Sequence, residues 1–235
     1  MSSLYKSIVN AKEKGTKLLA VLIDPENFDL KNTHQFLNQI PTTTTHLFVG
    51  GSTATKLQTK KTVYALRQLS KLPLVLFPGD AEQITNQADA LLFLSLLSGD
   101  NPEYLINQQI RAVEVLQQCN LEIIPTAYIL IDGGIKSAVE RVSNTKPIPQ
   151  NNLKKITHTA LAGQYSGKKM VYLEAGSGAK YRVSNQIIAS VSKAINIPLI
   201  VGGGIRSASE LEEVFKTGAD MVVIGTAFEK KLFVS

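Results

Sequence analysis

The chain has 235 residues, 44% of them hydrophobic and 19% charged, enough for one domain with a substantial core and ordinary for a soluble globular protein. No apolar stretch reaches the ~18 residues of a membrane-spanning helix, and Lys12, Glu13 and Lys14 interrupt the start of the chain, so neither an anchor nor a signal peptide is expected. The net charge of +6 comes from scattered lysines and arginines without interleaved aromatics, which argues against nucleic acid and leaves an anionic substrate or an anionic membrane surface.

A leading helix is predicted from about Leu4 to Lys14, with Leu4, Tyr5, Ile8 and Val9 on one side and Gly15 as its stop. Eight strand-like runs follow: Leu18–Asp24, His46–Gly50, Leu72–Pro78, Ala88–Leu97, Glu122–Asp132, Met170–Ala175, Pro198–Gly204 and Met221–Thr226. They are nearly continuous in apolar residues, as strands buried on both faces should be. Helix signals lie between them. Asn101-Pro102-Glu103 offers a cap, a first-turn proline and an acid, and Ile106, Ile110 and Val113 then form an apolar stripe. Ser184 is placed to cap a helix carrying Ile187, Ile188, Val191 and Ile195. Ser207-Ala208-Ser209-Glu210 reads as a capping box for a helix that Gly218 ends.

No linker divides this alternation. It predicts one domain, 1–235, of the α/β class, a (β/α)8 TIM barrel. Two connections depart from the pattern. Gly79–Gln87 is shorter than the ~10–12 residues of a crossover helix with its loops, so the third helix is predicted to be missing or reduced to a turn. Gly133–Asn152 is long and holds two prolines, which marks a functional or mobile loop.

The chemistry concentrates where strands end. The sixth, seventh and eighth runs close in Glu174-Ala175-Gly176-Ser177-Gly178, Gly202-Gly203-Gly204 and Gly225-Thr226. Glycine-rich loops after the last strands of a TIM barrel bind phosphate through backbone N–H groups, and the segment after Gly204 leads straight into a helix N-terminus. The bland reading of the triple glycine is a structural turn. Glu174 lies in an apolar run, where a carboxylate needs a ligand or a cation; it can take the proton of a substrate hydroxyl, or pair with Lys180 or Arg206 across the barrel top. Tyr172, two residues earlier, shares its face. Asp24 ends the first strand before Pro25, and Gly50-Gly51-Ser52 ends the second. A carboxylate beside a hydroxyl suits Mg²⁺ that takes its other ligands from a diphosphate and water. Asp24 can equally be a turn former, and Ser52 a capping serine. The lone Cys119 builds no disulfide framework and fits a cytoplasmic setting, while His34, His46 and His158 lack metal-ligand spacing.

These motifs together resemble the geranylgeranylglyceryl phosphate synthase and heptaprenylglyceryl phosphate synthase family of prenyltransferases. The matching strings are Ile23-Asp24-Pro25, Phe48-Val49-Gly50-Gly51-Ser52, Tyr172-Leu173-Glu174-Ala175-Gly176-Ser177-Gly178, Gly202-Gly203-Gly204-Ile205-Arg206 and Gly225-Thr226, in order along nearly the whole chain. Pro147-Ile148-Pro149 fits the longer-chained branch of the family, from which Gln150–Leu153 departs.

The resemblance implies a barrel without its third helix and a set of roles. Asp24 and Ser52 would hold Mg²⁺ and thereby the prenyl diphosphate. Tyr172, Leu173, Glu174, Ala175, Gly176, Ser177, Gly178, Gly203, Gly204, Gly225 and Thr226 would bind sn-glycerol 1-phosphate. Glu174 would accept the proton of its C3 hydroxyl, and the product would be an ether-lipid precursor. Aliphatic residues of the fourth strand and of the helix at Tyr104 are expected to line a channel for the prenyl tail. A homo-oligomer and attraction to an anionic membrane surface are also expected. The competing readings on the same barrel are a sugar-phosphate isomerase, an FMN oxidoreductase, and a non-enzymatic phosphate-ligand or membrane-surface module. The last leaves Asp24, Ser52 and Glu174 unexplained.

Overall fold

Eight parallel strands pair each with the next in sequence, and the eighth closes on the first. They are β1 (Leu18–Ile23), β2 (His46–Val49), β3 (Leu74–Leu76), β4 (Ala90–Leu96), β5 (Glu122–Leu130), β6 (Met170–Glu174), β7 (Leu199–Gly202) and β8 (Met221–Ile224). This computed structural model describes residues 3–225. Every expected strand is present, trimmed by one or two residues at an end where pairing gives way to a loop. Closure joins Leu18 to Met221 and Val21 to Ile224.

The alternation of side chains splits the core into two layers. Ala20, Phe48, Leu92, Tyr128, Tyr172 and Met221 point into the barrel. Their neighbours Val21, Leu47, Leu91, Ala127, Val171 and Val222 point outward, against the helices. Both faces are therefore dry, which is why the strand sequences are apolar throughout rather than alternating.

The leading helix, α1 (Leu4–Glu13), covers the N-terminal end of the barrel, where Ile8 joins the inner layer with Leu4, Tyr5 and Ala11 beside it. Val9 is not among those contacts. Glu122, at the start of β5, holds the opening turn of α1: its carboxylate accepts from Ser3 Oγ, from the Leu4 N–H at 2.5 Å and from the Tyr5 N–H at 3.1 Å. A carboxylate is favoured there by the exposed N–H groups and the helix dipole. His46 opens β2 in a buried position, with Nδ1 2.7 Å from Thr45 Oγ1 and no partner for Nε2. Burial lowers its pKa to about 4.

The remaining helices are α2 (Thr33–Gln39), α3 (Lys56–Leu69), α4 (Gln108–Gln117), α5 (Ala138–Ser143), α6 (Leu153–Tyr165), α7 (Asn185–Ala194) and α8 (Ala208–Thr217). The β3–β4 connection holds only a short 3-10 turn, Ala81–Gln83, as its length requires. Asn101 Oδ1 accepts from the Glu103 N–H at 3.0 Å, and the chain passes through one π-helical turn, Glu103–Asn107, into α4.

Four local expectations are corrected. Ile106, Ile110 and Val113 do form a stripe, but it faces outward at 51%, 62% and 46% exposure, and α4 is seated instead by Gln109, Ala112 and Leu116. Ser184 occupies the cap position of α7 without a side-chain cap bond. Ser207 caps α8 by accepting from the Glu210 N–H, but the Glu210 carboxylate accepts from the Arg206 N–H rather than from Ser207 itself. The segment 133–152 is not bare loop: it carries α5, capped by Ser137, and Ile148 returns to bridge Ile131 beside β5.

Candidate functional site

The C-terminal ends of the strands surround a cavity of about 490 Å³. Tyr172 and Glu174 follow Met170 on the inward face of β6, so both side chains rise into it. Glu174 is 6% exposed and its Oε1 accepts from the Gly176 N–H at 2.7 Å. Burial raises the pKa of its carboxyl, opposed by that N–H and by the nearby Tyr172 hydroxyl. The Tyr172 hydroxyl is fully buried and lies beside the carboxylate, yet it closes no hydrogen bond of good geometry there. It retains a donor and an acceptor for a ligand.

The backbone of β7 presses against these two side chains. Glu174 pairs with Gly202 in register. A Cβ on Gly203 would come within 2.5 Å of Glu174 Oε1, and φ of +82° at that residue is a conformation that glycine alone adopts cheaply. The triple glycine is therefore both a close approach to the carboxylate and a turn that exposes N–H groups at the mouth.

The ion-pair reading of Glu174 is not what the structure has. Among the described residues no ion pair includes Glu174. The Arg206 guanidinium donates to the carbonyls of Ala179 and Lys180, and the Lys180 ammonium lies 5.1 Å from the centre of the Tyr181 ring.

Asp24 continues the inward face of β1. Its Oδ1 accepts from the Glu26 N–H at 3.0 Å and its Oδ2 from the Asn27 side chain at 3.0 Å, so it does form the turn anticipated for an aspartate before proline. It also lines the cavity together with Ser52. The Gly50-Gly51-Ser52 turn passes so close that a Cβ on Gly51 would collide with the Asp24 carboxylate. Each carboxylate oxygen has two lone pairs, so turn formation and cation binding are compatible. Among the described residues no cluster of three or more histidine, cysteine, aspartate or glutamate side chains forms a metal cage. One carboxylate and one hydroxyl are hard oxygen donors, and they fit a cation whose remaining ligands are water and phosphate oxygens.

The other anticipated residues divide into two groups. Ser177, Gly178, Gly203, Gly204 and Gly225 line the cavity. Leu173 and Ala175 point outward into the layer beneath the helices, because side chains alternate along β6, and Gly176 lies between its neighbours and Ser137 without reaching the cavity wall. Those three can act only through backbone. Thr226 lies outside the described residues.

One part of the site is not marked in the sequence reading. Tyr128 on β5 and Phe77 after β3 pack with Tyr172 as an aromatic cluster, Phe77 stacking on Tyr172 with centroids 5.2 Å apart. The signal for Tyr128 is the one that exposes Tyr172: a phenol inside an apolar strand needs somewhere to put its hydroxyl. Beyond the cluster the cavity turns apolar. Leu92, Leu94 and Leu96 on the inner face of β4, Leu91 and Phe93 on its outer face, and Tyr104 at the start of its helix all line it, the strand and helix expected to line a channel. The short β3–β4 connection leaves this side without an outer helix. α5 lies over the cavity from above, with Val139, Arg141 and Val142 on its lining.

With this geometry in place, comparison with known proteins is direct. The PcrB family pattern matches residues 11–233. The geranylgeranylglyceryl phosphate synthase of Zunongwangia profunda is 55% identical over 99% of this chain and 100% of its own length, and that of Flavobacterium johnsoniae is 47% identical over 97% and 95%. The crystal structure of (S)-3-O-geranylgeranylglyceryl phosphate synthase from Thermoplasma acidophilum, in complex with its substrate sn-glycerol-1-phosphate, superposes with a TM-score of 0.91 at 33% identity, covering 98% of this chain and 93% of that one. Isomerase and flavin readings rest on the barrel alone. A closed eight-stranded barrel with Glu174 buried at a glycine-lined mouth, and full-length likeness to these enzymes, place the chain in the PcrB family, the geranylgeranylglyceryl phosphate synthase family of prenyltransferases.

Proposed function

We propose that the protein joins geranylgeranyl diphosphate to the C3 hydroxyl of sn-glycerol 1-phosphate in a Mg²⁺-dependent reaction, giving a prenylglyceryl phosphate and diphosphate. The observation that carries this reading is the buried Glu174 carboxyl beside the Tyr172 hydroxyl, under glycine turns suited to a phosphate. A flavin phosphate needs the turns but not the base; a sugar-phosphate isomerase would use both, and full-length likeness to prenyltransferases favours the transfer reaction over it. The Thermoplasma acidophilum enzyme, whose crystal structure holds sn-glycerol-1-phosphate, supports the choice of acceptor.

In this reading the phosphate is held by N–H groups at Gly203, Gly204, Gly225 and the Ser177-Gly178 turn, and Thr226 is assigned to the same ligand. The chain of the acceptor then points its far hydroxyl down toward Glu174. Tyr172 donates its open hydroxyl to the acceptor and fixes the direction of approach. The acceptor oxygen attacks C1 of the allylic donor, the new C–O bond forms as the bond to diphosphate breaks, and the hydroxyl proton goes to Glu174. A raised carboxyl pKa brings this base nearer to the working pH. Asp24 and Ser52 are the residues that would hold Mg²⁺. Bound there, the ion would stabilise the charge of the departing diphosphate as a Lewis acid. The apolar wall of β4 receives the tail and keeps water from the reacting carbon.

The test is turnover. Purified protein with Mg²⁺, geranylgeranyl diphosphate and either enantiomer of glycerol phosphate should yield a prenyl ether with the sn-1 enantiomer only, identified by mass. Absence of product with both enantiomers refutes the reading.

A further inference from the structure

The rim of the barrel mouth is divided by charge. The loops after β1 to β4, residues 24–32, 50–55, 77–83 and 97–103, carry seven acidic residues and one basic. The loops after β5 and β6, residues 131–152 and 175–184, carry five basic residues and two acidic. The reaction does not account for the basic half, because of its cations only Arg141 lines the cavity.

Three large apolar side chains are exposed on this same half: Ile135 at 46%, Val142 at 41% and Tyr181 at 54%. Each is next in sequence to an exposed cation, Lys136, Arg141 and Lys180 respectively. The two loops form one surface. The Tyr181 N–H donates to the Gly133 carbonyl at 2.9 Å, and the Gly134 backbone runs against the Tyr181 ring. The Lys180 ammonium lies 5.1 Å from the centre of that ring, and the Arg141 guanidinium donates to the Lys136 carbonyl at 3.3 Å. None of the three cations is in an ion pair among the described residues. Of the two acids, Asp132 accepts from the Gly134 N–H at 2.8 Å and Glu140 is half-buried. The exposed stripe of α4 differs in kind, since its one neighbouring cation, Arg111, is bound to Glu103.

Apolar groups flanked by unspent positive charge suit the boundary between water and anionic headgroups. There the apolar tips enter the acyl region and the cations stay at the phosphates. A self-contact of this face would instead set its cations against those of the copy. We propose that the 133–136 turn, α5 and the Lys180-Tyr181 turn dock the protein on the surface of an anionic lipid bilayer. The docked face borders the mouth, because Arg141 and Val142 belong to both. Resting on the prenyl-transfer reading, a donor with a long apolar tail is then collected from the bilayer and not from water.

Sedimentation with phosphatidylcholine vesicles containing about one-third phosphatidylglycerol tests this without turnover. Wild type should bind these vesicles and not pure phosphatidylcholine, and raised salt should release it. Lys136→Gln/Lys180→Gln should weaken binding about fivefold for each charge, roughly twentyfold in all. Ile135→Ser/Tyr181→Ser keeps the charge and should lose about tenfold. Lys14→Gln/Lys71→Gln makes the same change of net charge at the opposite end of the barrel, after α1 and before β3, and should stay within about twofold of wild type. Wild type that ignores the phosphatidylglycerol vesicles overturns the proposal, and so does an equal loss in the Lys14→Gln/Lys71→Gln variant. A drop in the solution mass of Ile135→Ser/Tyr181→Ser, read by light scattering without lipid, assigns the face to a second copy and overturns it as well. Vesicle binding by a wild type that makes no prenyl ether supports the surface and sinks the reaction instead.

Discussion

Tyr128 and Tyr172 are paired in register across β5 and β6, and their rings meet edge to face with centroids 5.4 Å apart. Burial, with Glu174 nearby, raises the pKa of both phenols well above the usual value. Both are therefore protonated near neutral pH and able to donate. Their ring contact holds the Tyr172 hydroxyl at a fixed height above the barrel core.

Tyr172→Phe tests that arrangement. The hydroxyl has no closed bond in the protein alone, so deleting it should leave the melting temperature unchanged or slightly higher. If it serves the acceptor, KM for glycerol phosphate rises about tenfold, the equivalent of one hydrogen bond. Equal KM values for variant and wild type remove the phenol from the site.

Glu174→Gln should lower kcat by ~10²–10⁴ and leave glycerol phosphate affinity nearly intact. The amide keeps the shape and can still accept from the Gly176 N–H. The linkage sign gives a second readout. A carboxyl whose folded pKa is raised stabilises the fold only as pH falls through that pKa, and above it the buried charge is a cost. The neutral amide escapes that cost, so the variant should melt no lower than wild type at pH 8. Single-turnover rates close to wild type would remove Glu174 from the chemistry, and a large loss of melting temperature would make it structural.

The acid limb of the wild-type rate profile should follow the same group. Activity requires the ionised carboxylate, so kcat/KM should fall with decreasing pH through a midpoint above the ordinary glutamate value, because burial is the dominant cause of the shift. A midpoint at or below the ordinary value contradicts the assignment.

Asp24→Asn should abolish Mg²⁺-dependent turnover while glycerol phosphate still binds. Asparagine keeps an acceptor for the Glu26 N–H and gives up the exposed bond from the Asn27 side chain, so the fold should survive. Undiminished activity with Mg²⁺ would dismiss Asp24 as a ligand.

His46 sets an acid limit on stability. Its folded pKa of about 4 lies below the unfolded ~6.5, so the unfolded chain binds a proton that the folded chain refuses across that window. Stability falls as pH drops from about 6.5 toward 4, by on the order of 3 kcal/mol at full effect. Denaturant midpoints for wild type and His46→Gln at pH 7 and pH 4.5 should diverge in slope, the variant losing less. Parallel curves would show that His46 titrates normally.

The barrel was legible because each strand is buried on both faces and so announces itself as an unbroken apolar run, from Leu18 to Ile23 or Met221 to Ile224. The missing third helix followed from the length of the Gly79–Gln87 connection alone. Periodicity failed at Ile106, Ile110 and Val113, since a stripe facing solvent and a stripe facing the core have the same spacing. Glu174 and Tyr172 stood out as polar groups in an apolar strand. Tyr128 carries the same signal and becomes meaningful only when β5 is laid beside β6. The separate bonding of Arg206 and Glu174 depended on the path of the loop at Ala179, which no spacing rule specifies.

The helix held by Glu122 at the opposite end gives the barrel a floor. The enclosure is a cup and not a pipe. Along the barrel axis a ligand therefore has one way in, over the rim beneath α5, and any second way lies at the side, where the short β3–β4 connection leaves β4 without an outer helix.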